Sequence, residues 1–149
     1  MARVYVSAVM DVTIEEAWGV LRDFNALPVY HRFFAKSEIE GGKPSDQIGC
    51  VRSFYNHEGG HIREELLTLS DREHTCCYRI LSVTSLAVQN YVSEMRLKPV
   101  TEGNTTFGEW WAEYDVADQD AVSVHQVVSD TFRFAFEGAE KVAREKRMK

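Results

Sequence analysis

The stretch DAVSVHQVVSDTFRFAFEGAEKVAR, residues 120–144, decides the fold because it carries the clearest periodic pattern in the chain. Apolar residues recur there at the spacing of one helix face, namely Ala121, Val124, Val128, Phe132, Ala135, Phe136, Ala139, Val142 and Ala143. The reverse side carries Gln126, Asp130, Arg133, Glu137, Glu140, Lys141 and Arg144. This amphipathic pattern, opened by Asp118 and Asp120, predicts a helix of about 29 residues, roughly 43 Å long.

The N-terminal part of the chain predicts one strand followed by two short helices. Residues 3–11 alternate in the strand period, with Val4 and Val6 on one face. Thr13-Ile-Glu-Glu16 is a capping box, which predicts the start of a helix. Pro28 interrupts that helix, and residues 24–30 are predicted to form a second short helical turn.

The middle of the chain, residues 34–116, predicts strands and turns. Strands are expected at 49–56, 61–69, 74–82, 89–99 and 105–116, and Asn56-His-Glu-Gly-Gly60 is expected to be a hairpin turn. Regular hairpin spacing without intervening helices indicates an antiparallel meander. One helix covers such a sheet only if the sheet curls around it, and a curled sheet leaves a wedge-shaped space where small molecules bind.

The composition narrows the class of protein. A chain of 149 residues with a net charge of −6 predicts one domain, residues 1–149, and argues against nucleic-acid binding. The basic run at the C-terminus, Lys141 to Lys149, is interpreted as complementing the helix dipole. Three cysteines, two of them adjacent, favour a reducing cytoplasm, and we expect neither a signal peptide nor stable membrane insertion.

Six short motifs in order resemble the START-like, helix-grip superfamily, also described as SRPBCC or polyketide cyclase/dehydrase proteins. They are Ala17-Trp18-x-x-Leu21-x-Asp23-Phe24, Gly49-x-Val51-Arg52, Gly60-x-x-x-Glu64-x-Leu66-Leu67, Tyr78-x-Ile80, Asn90-Tyr91-x-Ser93 and Trp110-x-x-x-Tyr114-Asp115. The resemblance implies an α+β helix-grip fold, with a curved antiparallel sheet of about seven strands around the long C-terminal helix. Plant abscisic acid receptors are distantly similar in Tyr30 to Ser37, Arg63 to Leu67 and Asn90 to Ser93, but their Ser-Gly-Leu-Pro-Ala signature is absent.

The resemblance and the strand alternation together predict which side chains line a cavity. On the sheet these are Phe34, Phe54, Asn56, Ile62, Glu64, Leu66, Tyr78, Ile80, Tyr91, Ser93, Met95, Trp110, Ala112 and Tyr114, and on the helix Val128, Phe132 and Phe136. The alternative interpretation is that these side chains simply fill the core. The resemblance implies two functions that the sequence leaves open. One is binding of a small apolar or aromatic molecule that is polyketide-, lipid- or hormone-like; the other is a cyclase or dehydratase acting in the same cavity. A third alternative is a lipid or quinone carrier or chaperone.

Three residues are candidates for proton transfer in an enzyme. Glu64 shares the inward parity of Ile62 and Leu66, and either Arg52 on the neighbouring strand pairs with it or its pKa rises and it acts as an acid or base. His125 lies on the apolar stripe between Val124 and Val128, where a role as a core residue competes with a role at the cavity mouth. Tyr91 offers a hydroxyl on the same face as Glu64.

Metal or cofactor binding is not expected. His57 and His61 flank a Gly-Gly turn without a carboxylate or cysteine to complete a tetrahedral set. Phe107, Val92 and Trp111 are expected to face outward if Tyr91 and Trp110 face inward. An exposed aromatic cluster of this kind favours a homodimer.

Overall fold

A computed structural model describes all 149 residues and confirms the predicted helix-grip layout. The elements are β1 (Ala2–Met10), α1 (Ile14–Leu21), α2 (Leu27–Tyr30), β2 (Phe34–Ile39), β3 (Val51–Asn56), β4 (His61–Ser70), β5 (Thr75–Val83), β6 (Gln89–Val100), β7 (Thr105–Asp115) and α3 (Ala121–Arg147). Single 3-10 turns lie at Glu40–Gly42 and Asp118–Asp120. The seven strands form one antiparallel sheet in the order β1-β7-β6-β5-β4-β3-β2, which is the predicted meander with β1 added beside β7.

The capping box at the start of α1 is confirmed. The Thr13 backbone N–H donates to Glu16 Oε1 at 2.9 Å, and the Glu16 N–H donates to Thr13 Oγ1 at 3.2 Å. Glu16 also accepts two 2.7 Å hydrogen bonds from Arg147 at the end of α3. These hydrogen bonds lower the pKa of Glu16 to about 2. Arg147, which belongs to the basic C-terminal run, therefore joins the end of α3 to α1 through hydrogen bonds, in addition to interacting with the helix dipole.

The long helix α3 spans 27 residues and lies against β1, α1 and α2. Its buried side chains are those of the predicted stripe, apart from the half-buried Ala121 and Val142. Gly138 marks the closest approach to α2, since a Cβ atom there would lie 1.7 Å from the carbonyl oxygen of Tyr30. The absence of a side chain at this position lets α2 close one end of the space between α3 and the sheet.

The sheet contains a split between β5 and β6. The two strands pair from Thr75, opposite Arg96, to Arg79, opposite Val92. Beyond Arg79, β5 pairs with β4 alone, and its last residues separate from the start of β6. Ile80 and Tyr91 border this split and also face the interior of the protein. The wall of the sheet is therefore interrupted at one place.

The outward aromatic residues lie where the alternation predicts. Trp110 is buried, whereas Trp111 is half-buried on the convex face and stacks on Tyr5 with ring centroids 6.4 Å apart. Val92 is exposed on the same face, and Phe107 is half-buried there. A homodimer through this surface stays a prediction. No helix combines the length and the apolar character that crossing a bilayer requires.

Candidate ligand-binding site

A cavity of about 450 Å³ lies between the concave face of the sheet, α2 and α3. Eleven predicted residues line it: Phe34, Phe54, Asn56, Ile62, Glu64, Tyr78, Ile80, Tyr91, Trp110, Val128 and Phe132. Twelve further lining residues were not predicted: Leu27, His31, Arg32, Phe33, Arg52, His57, Glu58, Ser85, Leu86, Val127, Thr131 and Ala135. Most of the added residues come from α2, the connection to β2, and loop tips, where no strand or helix period indicates which side chains point inward.

Six predicted lining residues are instead packed in the core, so their assignment to the cavity wall is corrected: Leu66, Ser93, Met95, Ala112, Tyr114 and Phe136. They lie away from the cavity, where aromatic packing fills the space between sheet and helix. Trp110 and Phe132 form the boundary: both line the cavity and stack with centroids 5.3 Å apart, and Trp110 also meets the core residue Phe136 edge-on at 5.5 Å. Core filling and cavity formation thus both occur, at different ends of the same interface.

The buried pair Arg52–Glu64 is the main electrostatic feature of the cavity. Arg52 on β3 lies directly opposite Glu64 on β4, and their side chains are 5% and 7% exposed. Arg52 Nε donates to Glu64 Oε1 at 2.8 Å, and its Nη2 lies 2.6 Å from the same oxygen. The ion pair considered from the sequence is therefore present. Burial raises the pKa of Glu64, while the adjacent guanidinium counteracts that rise.

Aromatic rings enclose the guanidinium of Arg52. Its Cζ lies 4.0 Å from the ring centroid of Phe24, 4.7 Å from that of Tyr78 and 5.3 Å from that of Phe54. Arg52 Nη1 donates to the carbonyl oxygen of Phe24 at 3.0 Å. Glu64 raises the pKa of Arg52 against the opposing effect of burial, so the side chain stays cationic. Arg52 is compensated by one carboxylate, one carbonyl and three ring faces.

The second oxygen of Glu64 is free. Both contacts with Arg52 reach Oε1, and Oε2 has no hydrogen-bond partner in the protein. Oε2 is also not among the fully enclosed unpartnered atoms, and Glu64 lines the cavity. The cavity therefore presents one carboxylate oxygen that accepts a hydrogen bond from a bound molecule.

Three side chains on β5, β6 and β7 form a buried polar network beside the cavity. The Trp110 indole N–H points to both the Tyr78 hydroxyl, at 3.0 Å, and Ser93 Oγ, at 3.1 Å. Ser93 in turn donates to the carbonyl oxygen of Trp111 at 2.9 Å. The network fixes the ring plane of Trp110, which forms part of the cavity wall.

Tyr91, a predicted catalytic residue, lies in the cavity wall and stacks on Tyr114 with centroids 5.9 Å apart. Burial raises its pKa well above the ordinary value, so the phenol stays protonated at neutral pH. This environment suits a hydrogen-bond partner and opposes the formation of a phenolate base.

His125, also a predicted catalytic residue, is exposed and does not line the cavity, so its placement at the site is corrected. The buried face of α3 contains Val124 and Val128. His125, Gln126 and Val127 between them are all exposed, so this part of α3 buries only one side chain per turn.

His31 is the buried histidine of the cavity wall, and it was not predicted. It is 2% exposed; its Nε2 lies 2.8 Å from the carbonyl oxygen of Thr131, and its Nδ1 accepts the backbone N–H of Phe33 at 3.1 Å. These partners require the neutral tautomer with hydrogen on Nε2. Burial lowers the pKa of His31 to about 4. The only sequence signal was its position in the stretch similar to the plant receptors.

The mouth of the cavity is marked by its exposed lining residues, Arg32, His57, Glu58, Ser85 and Val127. Asn56 Oδ1 accepts the backbone N–H groups of Gly60 and Glu58 at 2.7 and 3.0 Å, which holds the predicted hairpin turn. His57 Nε2 lies 3.1 Å from the carbonyl oxygen of Arg32, so this turn contacts the segment after α2.

Comparison with known proteins agrees with this architecture. A family model described as polyketide cyclase / dehydrase and lipid transport matches residues 1–144. The protein XoxI from Bacillus cereus is 24% identical, with 99% of each chain covered and a TM-score of 0.84. An uncharacterized protein from Bacillus thuringiensis is 29% identical over 91% of this chain and 97% of that chain, with a TM-score of 0.75.

Norcoclaurine synthase from Thalictrum flavum, solved as a point mutant with a transition state analogue, shares the fold at 15% identity. It covers 98% of this chain and 96% of that chain, with a TM-score of 0.76. No curated protein matches the chain.

Proposed function

Because the chain belongs to the polyketide cyclase/dehydrase and lipid transport family, we propose that it binds a small apolar or aromatic molecule between the sheet and α3. The observation that carries the proposal is the cavity wall, in which 14 of 23 residues are hydrophobic. Apolar walls with a few placed polar groups are typical of small-molecule sites. Glu64 Oε2 and the hydroxyl of Tyr91 are the groups that we assign to orienting the ligand.

Catalysis in the same cavity is the weaker alternative. A catalyst of this kind needs two titratable groups within hydrogen-bond reach of each other and of the substrate. Glu64 has Arg52 as its partner, His125 faces solvent, and Tyr91 stays protonated. We therefore assign Glu64 and Tyr91 to ligand contact, and His125 to no role at the site.

Native mass spectrometry of the protein purified from its own host tests the proposal. We expect a mass above that of the chain under native conditions, which returns to the mass of the chain on denaturation. Ile80→Trp places a larger side chain at the cavity wall and is expected to reduce the retained molecule. Leu81→Trp is the matched control, because Leu81 borders the split in the sheet and not the cavity. Equal retention by both variants contradicts binding in this cavity.

A further inference from the structure

The positive charge inside the cavity is already paired with a carboxylate of the protein, and this pairing limits which ligands the cavity accepts. Arg52 is the cation of the interior wall, and its charge is paired with Glu64, which its Nε and Nη2 both contact, while its Nη1 donates to the Phe24 carbonyl oxygen. The other arginine of the wall, Arg32, lies at the mouth, where it pairs with Glu137 at 2.9 Å and covers the ring of Phe134. A ligand carboxylate in the cavity meets no uncompensated arginine.

No lysine supplies the missing positive charge. The lysine nearest in sequence to the cavity wall is Lys36 on β2, and its Nζ lies 4.7 Å from the ring centroid of Tyr55. Neither Lys36 nor Tyr55 lines the cavity. His31 does line it, but the pKa of about 4 leaves it neutral at physiological pH.

The free carboxylate oxygen adds a selective contact. Glu64 Oε2 faces the cavity without a protein donor, so it accepts a hydrogen bond from a hydroxyl, amine or amide of the ligand. The same oxygen repels a carboxylate, and the low dielectric of a buried site strengthens that repulsion.

We infer that the cavity selects electrically neutral ligands that bear a hydrogen-bond donor and rejects the corresponding carboxylates, with Glu64 as the residue that determines this selectivity. The inference rests on the proposed binding function and specifies its ligand class. The ligand places its apolar ring against the aromatic wall and its donor against Oε2.

A matched pair of probes tests the selectivity. 2-Naphthamide and 2-naphthoate have the same ring and nearly the same shape, but only the second is charged at pH 7.5. In equilibrium dialysis we expect the amide to bind the wild-type protein more tightly by at least about tenfold, which corresponds to about 1.4 kcal/mol. Equal affinities overturn the inference and leave the binding function standing. Binding of neither probe overturns both.

A generic apolar cavity also disfavours a carboxylate, so the variant Glu64→Gln decides the cause. It removes the repelling charge and leaves Arg52 uncompensated. We expect the affinity for 2-naphthoate to rise and the preference to reverse. Glu113→Gln is the control: Glu113 is an exposed carboxylate on β7 that does not line the cavity, and its loss is expected to leave the preference unchanged. A variant Glu64→Gln that keeps the wild-type preference overturns the role of Glu64. If it does not fold, the double variant Arg52→Met/Glu64→Leu decides, because it removes the carboxylate without leaving a buried charge unpaired: a preference for the amide as large as that of the wild-type protein overturns the role of Glu64.

Discussion

His31 is expected to make the stability of the protein depend on pH in a defined window. The unfolded chain binds a proton at this residue near pH 6.5, whereas burial lowers the pKa in the folded protein to about 4. Between these values the unfolded state carries more protons at this residue than the folded state. The contribution of His31 to the free energy of unfolding is therefore fully present above pH 6.5 and is lost as the pH falls toward 4.

The size of the effect follows from the shift. The pKa values of His31 in the unfolded and folded states differ by roughly 2.5, and each pKa unit corresponds to about 1.36 kcal/mol. The free energy of unfolding is therefore expected to fall by about 3 kcal/mol by pH 4, with a slope of about 1.4 kcal/mol per pH unit within the window. The main physical reason is burial, which disfavours the charged imidazolium, and this form also has no acceptor for its second proton. Nδ1 faces the backbone N–H of Phe33, which donates to it in the folded protein.

Urea unfolding followed by tryptophan fluorescence at several pH values from 7.5 to 4.5 measures this slope. The variant His31→Gln keeps a donor and an acceptor but does not titrate, so we expect it to lose the slope. His125→Gln removes an exposed histidine and controls for the change in histidine number; it is expected to retain the wild-type slope. If wild type and His31→Gln lose stability equally between pH 6.5 and 4.5, His31 is not the source and the argument is wrong.

Three further substitutions have expected effects on the free energy of unfolding, each measured by urea or thermal unfolding. Gly138→Ala inserts a methyl group against the backbone of α2 and is expected to destabilise the protein by at least about 3 kcal/mol. Its control, Gly19→Ala on α1, meets no atom within 4 Å and is expected to stabilise the protein by up to about 1 kcal/mol. Similar values for the two variants contradict the close approach of Gly138 to α2. Tyr114→Phe removes a buried hydroxyl without a partner and is expected to be neutral or stabilising by up to about 1 kcal/mol, so a loss above about 1 kcal/mol reveals an unrecognised bond. Arg52→Met leaves a buried carboxylate unpaired and is expected to destabilise the protein by about 3–5 kcal/mol. The additional substitution Glu64→Leu removes that carboxylate and is expected to restore most of the lost stability. A double variant no more stable than Arg52→Met contradicts this account.

The fold was predictable because its signals are local and periodic. The stripe from Val124 to Ala143 specifies one long buried helix face, and the turn at residues 56–60 specifies a hairpin. The parity of Glu64 and the position of Arg52 on the neighbouring strand made the ion pair one of two alternatives, and the register of β3 with β4 decides for it.

Which of the inward-facing residues line the cavity and which pack in the core was not predictable in the same way. Alternation places Tyr78 and Met95 on the same face, but only the packing of α3 decides that Tyr78 meets the cavity and Met95 the core. His125 lies at the border of the helix stripe, where a rotation of a few tens of degrees separates buried from exposed positions. His31 follows a four-residue helix that has no usable period, so its inward direction depends on contacts distant in sequence.

The split between β5 and β6 has a consequence for how the protein tolerates change. Ile80 to Val83 do not pair with β6, so the main-chain N–H and C=O groups of β5 that point toward β6 make no β-sheet hydrogen bonds to it. Ile80 borders the cavity at the same place. Every residue type except proline has a main-chain N–H and C=O group, so a molecule bound to these groups would keep its hydrogen bonds when the side chains of the wall are substituted. Substitution of the wall side chains is therefore expected to change the shape and polarity of the wall and to leave this stretch of backbone available for hydrogen bonding.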